Sequence, residues 1–130
     1  MVAKILIIDD RPEVARSIAY SLRSYETSIE TDPRCAVRRF VDGEQFDIVL
    51  CDLDMPEMTG REVYDAFRRE TREGSPVMLM MSGDHNVVPL FEAGCPVLIK
   101  PFSASELRTL VSAILHDGVQ AGPAPSALSA

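Results

Sequence analysis

Residues 4–10 have the sequence KILIIDD, a short apolar run that ends in two carboxylates. Three further apolar runs also end in a polar residue: FDIVLC at Asp52, PVMLMM at Ser82 and PVLI at Lys100. Continuous apolar runs of this length are typical of parallel strands that are covered on both faces. Because the carboxyl ends of the strands in an open parallel sheet line one crevice, these polar residues are predicted to meet in one site.

Helix-like segments alternate with the apolar runs, and this order indicates βα units that build a parallel sheet. After the first run, Val14, Ile18 and Leu22 recur at the spacing of one helical face. A shorter and more polar segment, Thr27–Thr31, is predicted to be an edge strand. The predicted strands are Lys4–Ile8, Thr27–Thr31, Phe46–Cys51, Val77–Met81 and Val97–Ile99. The predicted long helices begin near Pro12, Pro33, Arg61 and Ser103, and the third of them reaches Arg72.

The folded part of the chain is predicted to be one domain over residues 1–116. Between the fourth and fifth strands there is room only for a shortened fourth helix of about two turns, Pro89–Ala93, since a proline suits a helix start and Gly94 can end it. Residues 117–130 are rich in Gly, Pro, Ala and Ser, so they are predicted to be a disordered tail or a linker.

The composition excludes several classes of function. With 13 basic and 20 acidic residues, the net charge of −7 disfavours direct binding to nucleic acid phosphates. No apolar run approaches the roughly 20 residues needed to cross a bilayer. The first residues lack the pattern of a secretory leader, so none is expected. The 3 cysteines lack metal-type spacing and argue against a disulfide framework, so a reducing, cytoplasmic location is expected.

The predicted crevice brings three carboxylates together, those of Asp9, Asp10 and Asp52. Two carboxylates about 4 Å apart repel by roughly 4 kcal/mol at an effective dielectric constant of 20, and Lys100 offers one compensating charge. Mg²⁺ fits the remaining deficit best, because it binds one or two protein carboxylates together with water and phosphate oxygens. A carboxylate beside Mg²⁺ and an ammonium can act as a nucleophile toward a phosphoryl group. The hydroxyl of Ser82 can hydrogen-bond a phosphoryl oxygen.

The strand-end residues belong to motifs that together resemble the receiver domain of bacterial response regulators. The motifs are IDD at residues 8–10, DLDMPEMTG at 52–60, SG at 82–83 and KPF at 100–102. They follow one another in the family's order and span nearly the whole folded chain. The resemblance implies an α/β flavodoxin-like fold, in which a doubly wound, five-stranded parallel sheet of order 2-1-3-4-5 carries helices on both faces.

The resemblance also assigns a role to each acidic residue of the site. Asp52 would be the phosphoacceptor. Mg²⁺ would be bound by the side chains of Asp10 and Asp52 and by the backbone carbonyl of Asp54. Asp9 would act largely through a metal-bound water.

The basic and hydroxyl residues of the site have implied roles as well. Lys100 would pair with the acceptor carboxylate and then with a phosphoryl oxygen, Ser82 would move toward the phosphoryl group, and the peptide bond between Lys100 and Pro101 would be cis. The family often places Tyr or Phe three residues before the lysine, where its movement is coupled to that of the hydroxyl residue. This chain has Val97 there, which cannot make the same movement.

A domain of this kind would take a phosphoryl group from a phosphohistidine on a histidine kinase or a histidine phosphotransfer protein and then change conformation. It would catalyse its own phosphorylation and slow hydrolysis without being a metabolic enzyme, and neither nucleic acid nor membrane is expected as a direct partner. The shortened fourth helix resembles receivers attached to hybrid histidine kinases, and it favours a monomer or a weak dimer.

Two other functions are open at this point. A phosphatase of the haloacid dehalogenase type would use the Asp52–Asp54 triplet, a strand-end serine, a lysine and an acidic pair, but in that family the triplet comes first along the chain and the pair last. A docking module that is never phosphorylated is the other alternative. The presence of all the groups needed for phosphorylation argues against it.

Overall fold

The computed structural model describes residues 2–70, 74–83 and 94–117. The described strands are β1 Lys4–Ile8, β2 Glu26–Glu30, β3 Ile48–Asp52, β4 Val77–Ser82 and β5 Val97–Ile99. The described helices are α1 Pro12–Ser21, α2 Pro33–Val41, α3 Gly60–Arg69 and α4 Ala104–Asp117. All neighbouring strands are parallel, and their order β2-β1-β3-β4-β5 confirms the predicted doubly wound sheet.

Apolar side chains cover both faces of the sheet, which is why its central strands are continuous apolar runs. Helices α1 and α4 pack on one face through residues such as Ile18 and Val111. Helices α2 and α3 pack on the other face, where the rings of Phe40 and Phe67 stack with their centroids 4.4 Å apart. The polar strand β2 lies at the edge of the sheet, as predicted, and none of its residues is fully buried.

Several predicted boundaries were shifted or wrong. β3 begins at Ile48, because its pairing with β1 starts where Ile48 meets Ile5, and it runs one residue further than predicted to include Asp52. The described part of α3 ends at Arg69, three residues before the predicted Arg72, since the backbone at Glu70 leaves the helical region with a ψ of 82°. The short helix predicted at 89–93 and most of the predicted tail, 118–130, lie outside the described residues.

Two helices that follow the strand ends start with reciprocal caps that fix the loops before them. At the start of α3, the amide of Glu62 donates to Thr59 Oγ1 at 3.2 Å and the amide of Thr59 donates to Glu62 Oε1 at 2.9 Å. The predicted capping box before α4 is confirmed by the matching contacts of Ser103 and Glu106, at 3.0 and 3.1 Å. The loops after β3 and β5 are therefore held at both ends.

Gly60 fixes the loop after β3 by a close backbone contact. Its amide donates to the carbonyl of Leu53 at 3.1 Å. A Cβ atom at this position would lie 2.5 Å from the carbonyl oxygen of Asp52 and 2.6 Å from the Cα of Leu53. Because both obstacles are backbone atoms, no side-chain rotation can relieve the clash. The end of β3 can keep its position only with glycine here.

None of the described helices combines the length and the apolar character needed to cross a bilayer. The thiols of Cys35, Cys51 and Cys95 are free. This is consistent with the prediction that no disulfide framework holds the chain.

The contact of Gly60 with the end of β3 leads to a stability prediction. Gly60→Ala should lower the free energy of unfolding by roughly 1–3 kcal/mol, because the added methyl forces the backbone at Asp52 to move. Urea denaturation would measure the change. Gly83→Ala is the matched control, since a Cβ atom there meets nothing within 4 Å, and equal stability losses in the two variants would contradict the close-approach explanation.

Candidate functional site

The site is centred on Asp52, the last residue of the central strand β3. Its side chain is nearly buried, with 3% of the residue exposed. Its Oδ1 atom accepts hydrogen bonds from Lys100 Nζ at 3.3 Å and from the backbone amide of Asp54 at 3.2 Å. A buried carboxylate is costly unless it is paired, and one ammonium together with one amide holds this one in place.

Two more carboxylates reach the same place from the loop between β1 and α1. Asp9 and Asp10 follow β1, which lies next to β3 in the sheet. One carboxylate oxygen from each of Asp9, Asp10 and Asp52 lies within 4.8 Å of the others. The residue Asp9 is fully buried, and its Oδ1 accepts a hydrogen bond from the amide of Arg11 at 2.9 Å. The structure therefore brings together the three acids that the strand-end pattern predicted.

The hydrogen bonding of this cluster fits a cation. The buried atoms Asp9 Oδ2 and Asp10 Oδ1 accept no hydrogen bond. Leaving buried acceptors unpaired is costly, and the cation that contacts an acid of the cluster is Lys100, through Asp52. Three clustered carboxylates, two of them with an unpaired oxygen, suit a hard divalent ion with oxygen ligands. Among such ions, Mg²⁺ is the one that keeps coordination sites for water and phosphate.

Asp54 takes a different part from the other acids. It is exposed, and its carboxylate is absent from the cluster of three. Its backbone amide holds Asp52, as described above. The predicted use of its backbone carbonyl as a metal ligand stays a prediction.

The burial of Asp9 has an electrostatic consequence. Removal from water raises the pKa of the Asp9 carboxyl above its usual value. The charges of Asp52 and Asp10 act in the same direction, whereas the amide of Arg11 and the charge of Lys100 oppose them. Keeping Asp9 ionised in the absence of a cation therefore costs stability.

Lys100 and Ser82 are brought to the site by the last two strands. β4 pairs with β5, and the amide of Lys100 donates to the carbonyl of Ser82 at 2.7 Å. Ser82 is buried at the end of β4, one residue beyond the Met81 that pairs with Asp52. The peptide bond between Lys100 and Pro101 is cis, as the resemblance implied. Both predicted residues therefore lie at the same edge of the sheet as the acids.

Val97 occupies the position where an aromatic residue was noted as common. Its side chain is fully buried and belongs to the core under α2 and α3, opposite Met80 in the sheet. A buried valine has neither the size nor the space to move between an inner and an outer position. Any movement of Ser82 must therefore be transmitted by other residues.

Sequence reasoning missed two contacts that shape this site. The first is the close approach of Gly60 to the backbone of Asp52, which was visible only as a glycine in a motif. The second is the amide of Arg11, which holds the Asp9 carboxylate. Both are contacts of the backbone, so apart from the glycine itself the identity of the residues does not reveal them.

Comparison with known proteins gives a consistent result. Residues 5–112 match the family described as the response regulator receiver domain. The chain is 34% identical over 119 residues to the sensory transduction protein RegX3 of Mycobacterium bovis, covering 88% of this chain and 51% of that protein. This chain thus spans about half the length of that curated relative.

Solved structures agree. The chemotaxis response regulator CheY4 of Vibrio cholerae superposes with a TM-score of 0.77 at 26% identity, covering 88% of this chain and 99% of that one. The signal receiver domain of a signal transduction histidine kinase from Syntrophus aciditrophicus gives a TM-score of 0.77 at 27% identity, over 90% and 92% of the two chains. With its sheet order, its strand-end acids and this family match, the chain belongs to the response regulator receiver domain family of two-component systems.

Proposed function

We propose that this receiver domain takes a phosphoryl group onto Asp52 from a phosphohistidine of a histidine kinase or a histidine phosphotransfer protein, with Mg²⁺ as cofactor. The observation that carries the proposal is the setting of Asp52. Its nearly buried carboxylate contacts Lys100 at 3.3 Å and lies beside two further acids, each of which has one buried oxygen that accepts no hydrogen bond. A purely structural acid would not need two more carboxylates beside it.

In the proposed transfer, a carboxylate oxygen of Asp52 forms a bond to phosphorus as the bond from phosphorus to the imidazole nitrogen breaks. The electron pair of that bond stays on the imidazole nitrogen, and the ring leaves as neutral imidazole because its other nitrogen carries a proton. Asp10, Asp52 and the backbone carbonyl of Asp54 would hold Mg²⁺, with Asp9 acting through water. When bound, Mg²⁺ supplies positive charge next to the transferring phosphoryl oxygens.

After the transfer, the contacts of Asp52 must change, because its Oδ1 is then part of an acyl phosphate or beside one. Lys100 exchanges its contact with the carboxylate for one with a phosphoryl oxygen, and Ser82 moves toward the same group. These exchanges bias the domain between two conformations. Because Val97 is fixed in the core, the change passes through the backbone at Ser82 and Lys100, which are joined by a hydrogen bond of 2.7 Å.

The remaining expectations belong to the same proposal. The domain would act in the cytoplasm as a monomer or a weak dimer, with slow hydrolysis of its own phosphoaspartate. The match to a receiver domain of a histidine kinase is compatible with attachment to a hybrid kinase, and the match to RegX3 with a separate regulator. The family match removes the haloacid dehalogenase alternative. Experiment must decide whether the domain is instead a docking module that is never phosphorylated.

The proposal predicts covalent modification of one residue. Incubation with Mg²⁺ and acetyl phosphate should add one phosphoryl group to the intact protein, because acetate can leave in place of imidazole. Asp52→Asn, or removal of divalent ions with EDTA, should abolish the gain, as measured by mass spectrometry. Asp65→Asn is a matched control, since Asp65 is a surface acid paired with Arg61 at 3.2 Å.

The outcomes of this experiment separate the alternatives. No mass gain in the unsubstituted protein would favour a docking module and reject the proposal. A gain that persists unchanged in Asp52→Asn would place the acceptor elsewhere.

The raised pKa of Asp9 predicts a stability effect that depends on pH and metal. In EDTA at pH 7, Asp9→Asn should raise the free energy of unfolding by roughly 1 kcal/mol, the scale of an unpaired buried polar group. Asp9 destabilises the folded protein only when its carboxyl is ionised there. The full loss of stability is therefore present above the raised pKa of the folded state, and it vanishes below the pKa of the unfolded state, near 3.8. The difference between the two proteins should therefore disappear on acidification, as urea denaturation at several pH values would measure.

Magnesium should change the sign of this comparison. Saturating Mg²⁺ should stabilise the unsubstituted protein more than Asp9→Asn, because ligand binding to the folded state adds stability and the variant lacks one acid of the site. If the Asp9→Asn variant is less stable than the unsubstituted protein in EDTA at pH 7, the acid cluster carries no electrostatic cost and the explanation is wrong.

A further inference from the structure

Arg11 lies at the rim of the acid cluster, and none of the roles above uses its side chain. It follows Asp10 directly in the loop between β1 and α1. Its backbone amide donates a hydrogen bond of 2.9 Å to the Asp9 carboxylate. This position places a long cationic side chain beside the carboxylates at which the phosphoryl group would arrive.

The guanidinium of Arg11 pairs with Glu13 at the protein surface. Its Nε contacts Glu13 Oε1 at 3.3 Å, and both side chains are more than 60% exposed, at 64% and 62%. The charges that act on the pKa of Asp9 are those of Asp52, Lys100 and Asp10, whereas Arg11 acts on it through its backbone amide. An ion pair this exposed contributes little to stability, so Arg11 can exchange Glu13 for a stronger partner at little cost.

The charge balance of the site favours such an exchange. The three clustered carboxylates have one ammonium, that of Lys100, in contact with them. Binding of a divalent cation would bring the total charge of the site close to zero. Phosphorylation of Asp52 then replaces one carboxylate charge with a phosphoryl group that carries close to two negative charges, so the site gains about one negative charge. The phosphoryl oxygens match the planar fork of an arginine, which binds phosphate through two parallel hydrogen bonds.

The sheet order places the two cations on opposite sides of the acceptor. Asp52 ends β3, which lies between β1 and β4. Lys100 follows β5 and reaches Asp52 Oδ1 from the β4 side, whereas Arg11 follows β1 and stands on the other side. A phosphoryl group on Asp52 presents oxygens to both sides, and Lys100 covers only one of them.

We propose that Arg11 is a phosphoryl-binding residue of this domain, whose guanidinium leaves Glu13 to bind the oxygens of the incoming phosphodonor and of phosphorylated Asp52. This inference rests on the proposed phosphorylation of Asp52 and adds a residue to it. Glu13 then acts as a competitor that holds the guanidinium outside the site before phosphorylation.

The rate of phosphorylation by acetyl phosphate tests the role of Arg11. With Mg²⁺ at saturation, Arg11→Ala should lower the second-order rate constant about fivefold to tenfold at low salt, and the difference should shrink as salt screens the charge. Glu13→Gln should raise the rate constant, because it frees the guanidinium. Arg38→Ala is the matched control, because Arg38 is an exposed arginine in the last turn of α2. Its rate constant should equal that of the unsubstituted protein.

A spectroscopic measurement tests the contact without turnover. Adding beryllofluoride, a phosphoryl mimic, with Mg²⁺ should shift the side-chain Nε–H resonance of Arg11 and leave that of Arg38 unchanged. A rate constant for Arg11→Ala equal to that of Arg38→Ala, or an Arg11 resonance that does not shift, would overturn the inference while Asp52 is still phosphorylated. If the unsubstituted protein takes no phosphoryl group at all, the proposed function fails and this inference fails with it.

Discussion

The mutual repulsion of three carboxylates at one end of the sheet is the constraint on which the site depends. Asp9, Asp10 and Asp52 bring oxygen atoms within 4.8 Å of one another, with Lys100 as the cation in contact. At an effective dielectric constant of 20, charges at such distances repel by several kcal/mol, roughly 4 kcal/mol at 4 Å. The sheet must hold these acids together against that repulsion, which a cation bound between them would offset.

The fold resists this repulsion through rigid neighbours. The side chains before each acid are buried between helices on both faces, so the strand ends cannot move apart without exposing apolar surface. The caps at Thr59 and Ser103 hold the loops that follow β3 and β5. Gly60 contacts the backbone at Asp52 so closely that no other residue fits. Packing and backbone contacts thus hold the strand ends in place against the repulsion between the carboxylates.

Much of this arrangement could be predicted from the sequence, because apolar runs that end in charge mark both the strands and the edge at which they meet. The strand order itself came from family resemblance, since the sequence of one chain does not show which strands pair. The error at the start of β3 arose because Phe46 is buried, with 3% of the residue exposed, but precedes the paired strand. The backbone contacts of Gly60 and Arg11 could not be predicted, because they depend on the approach of segments that are distant or on loop geometry.

The most direct test of the central claim is where a divalent ion binds. Mn²⁺ prefers the same oxygen ligands as Mg²⁺, and it broadens nearby amide resonances in a two-dimensional NMR spectrum. Titration with substoichiometric Mn²⁺ should broaden the signals around residues 9–11 and 52–54 first, and excess Mg²⁺ should restore them. Broadening centred elsewhere, or the same pattern in Asp10→Asn as in the unsubstituted protein, would contradict the claim that these strand ends form a cation site.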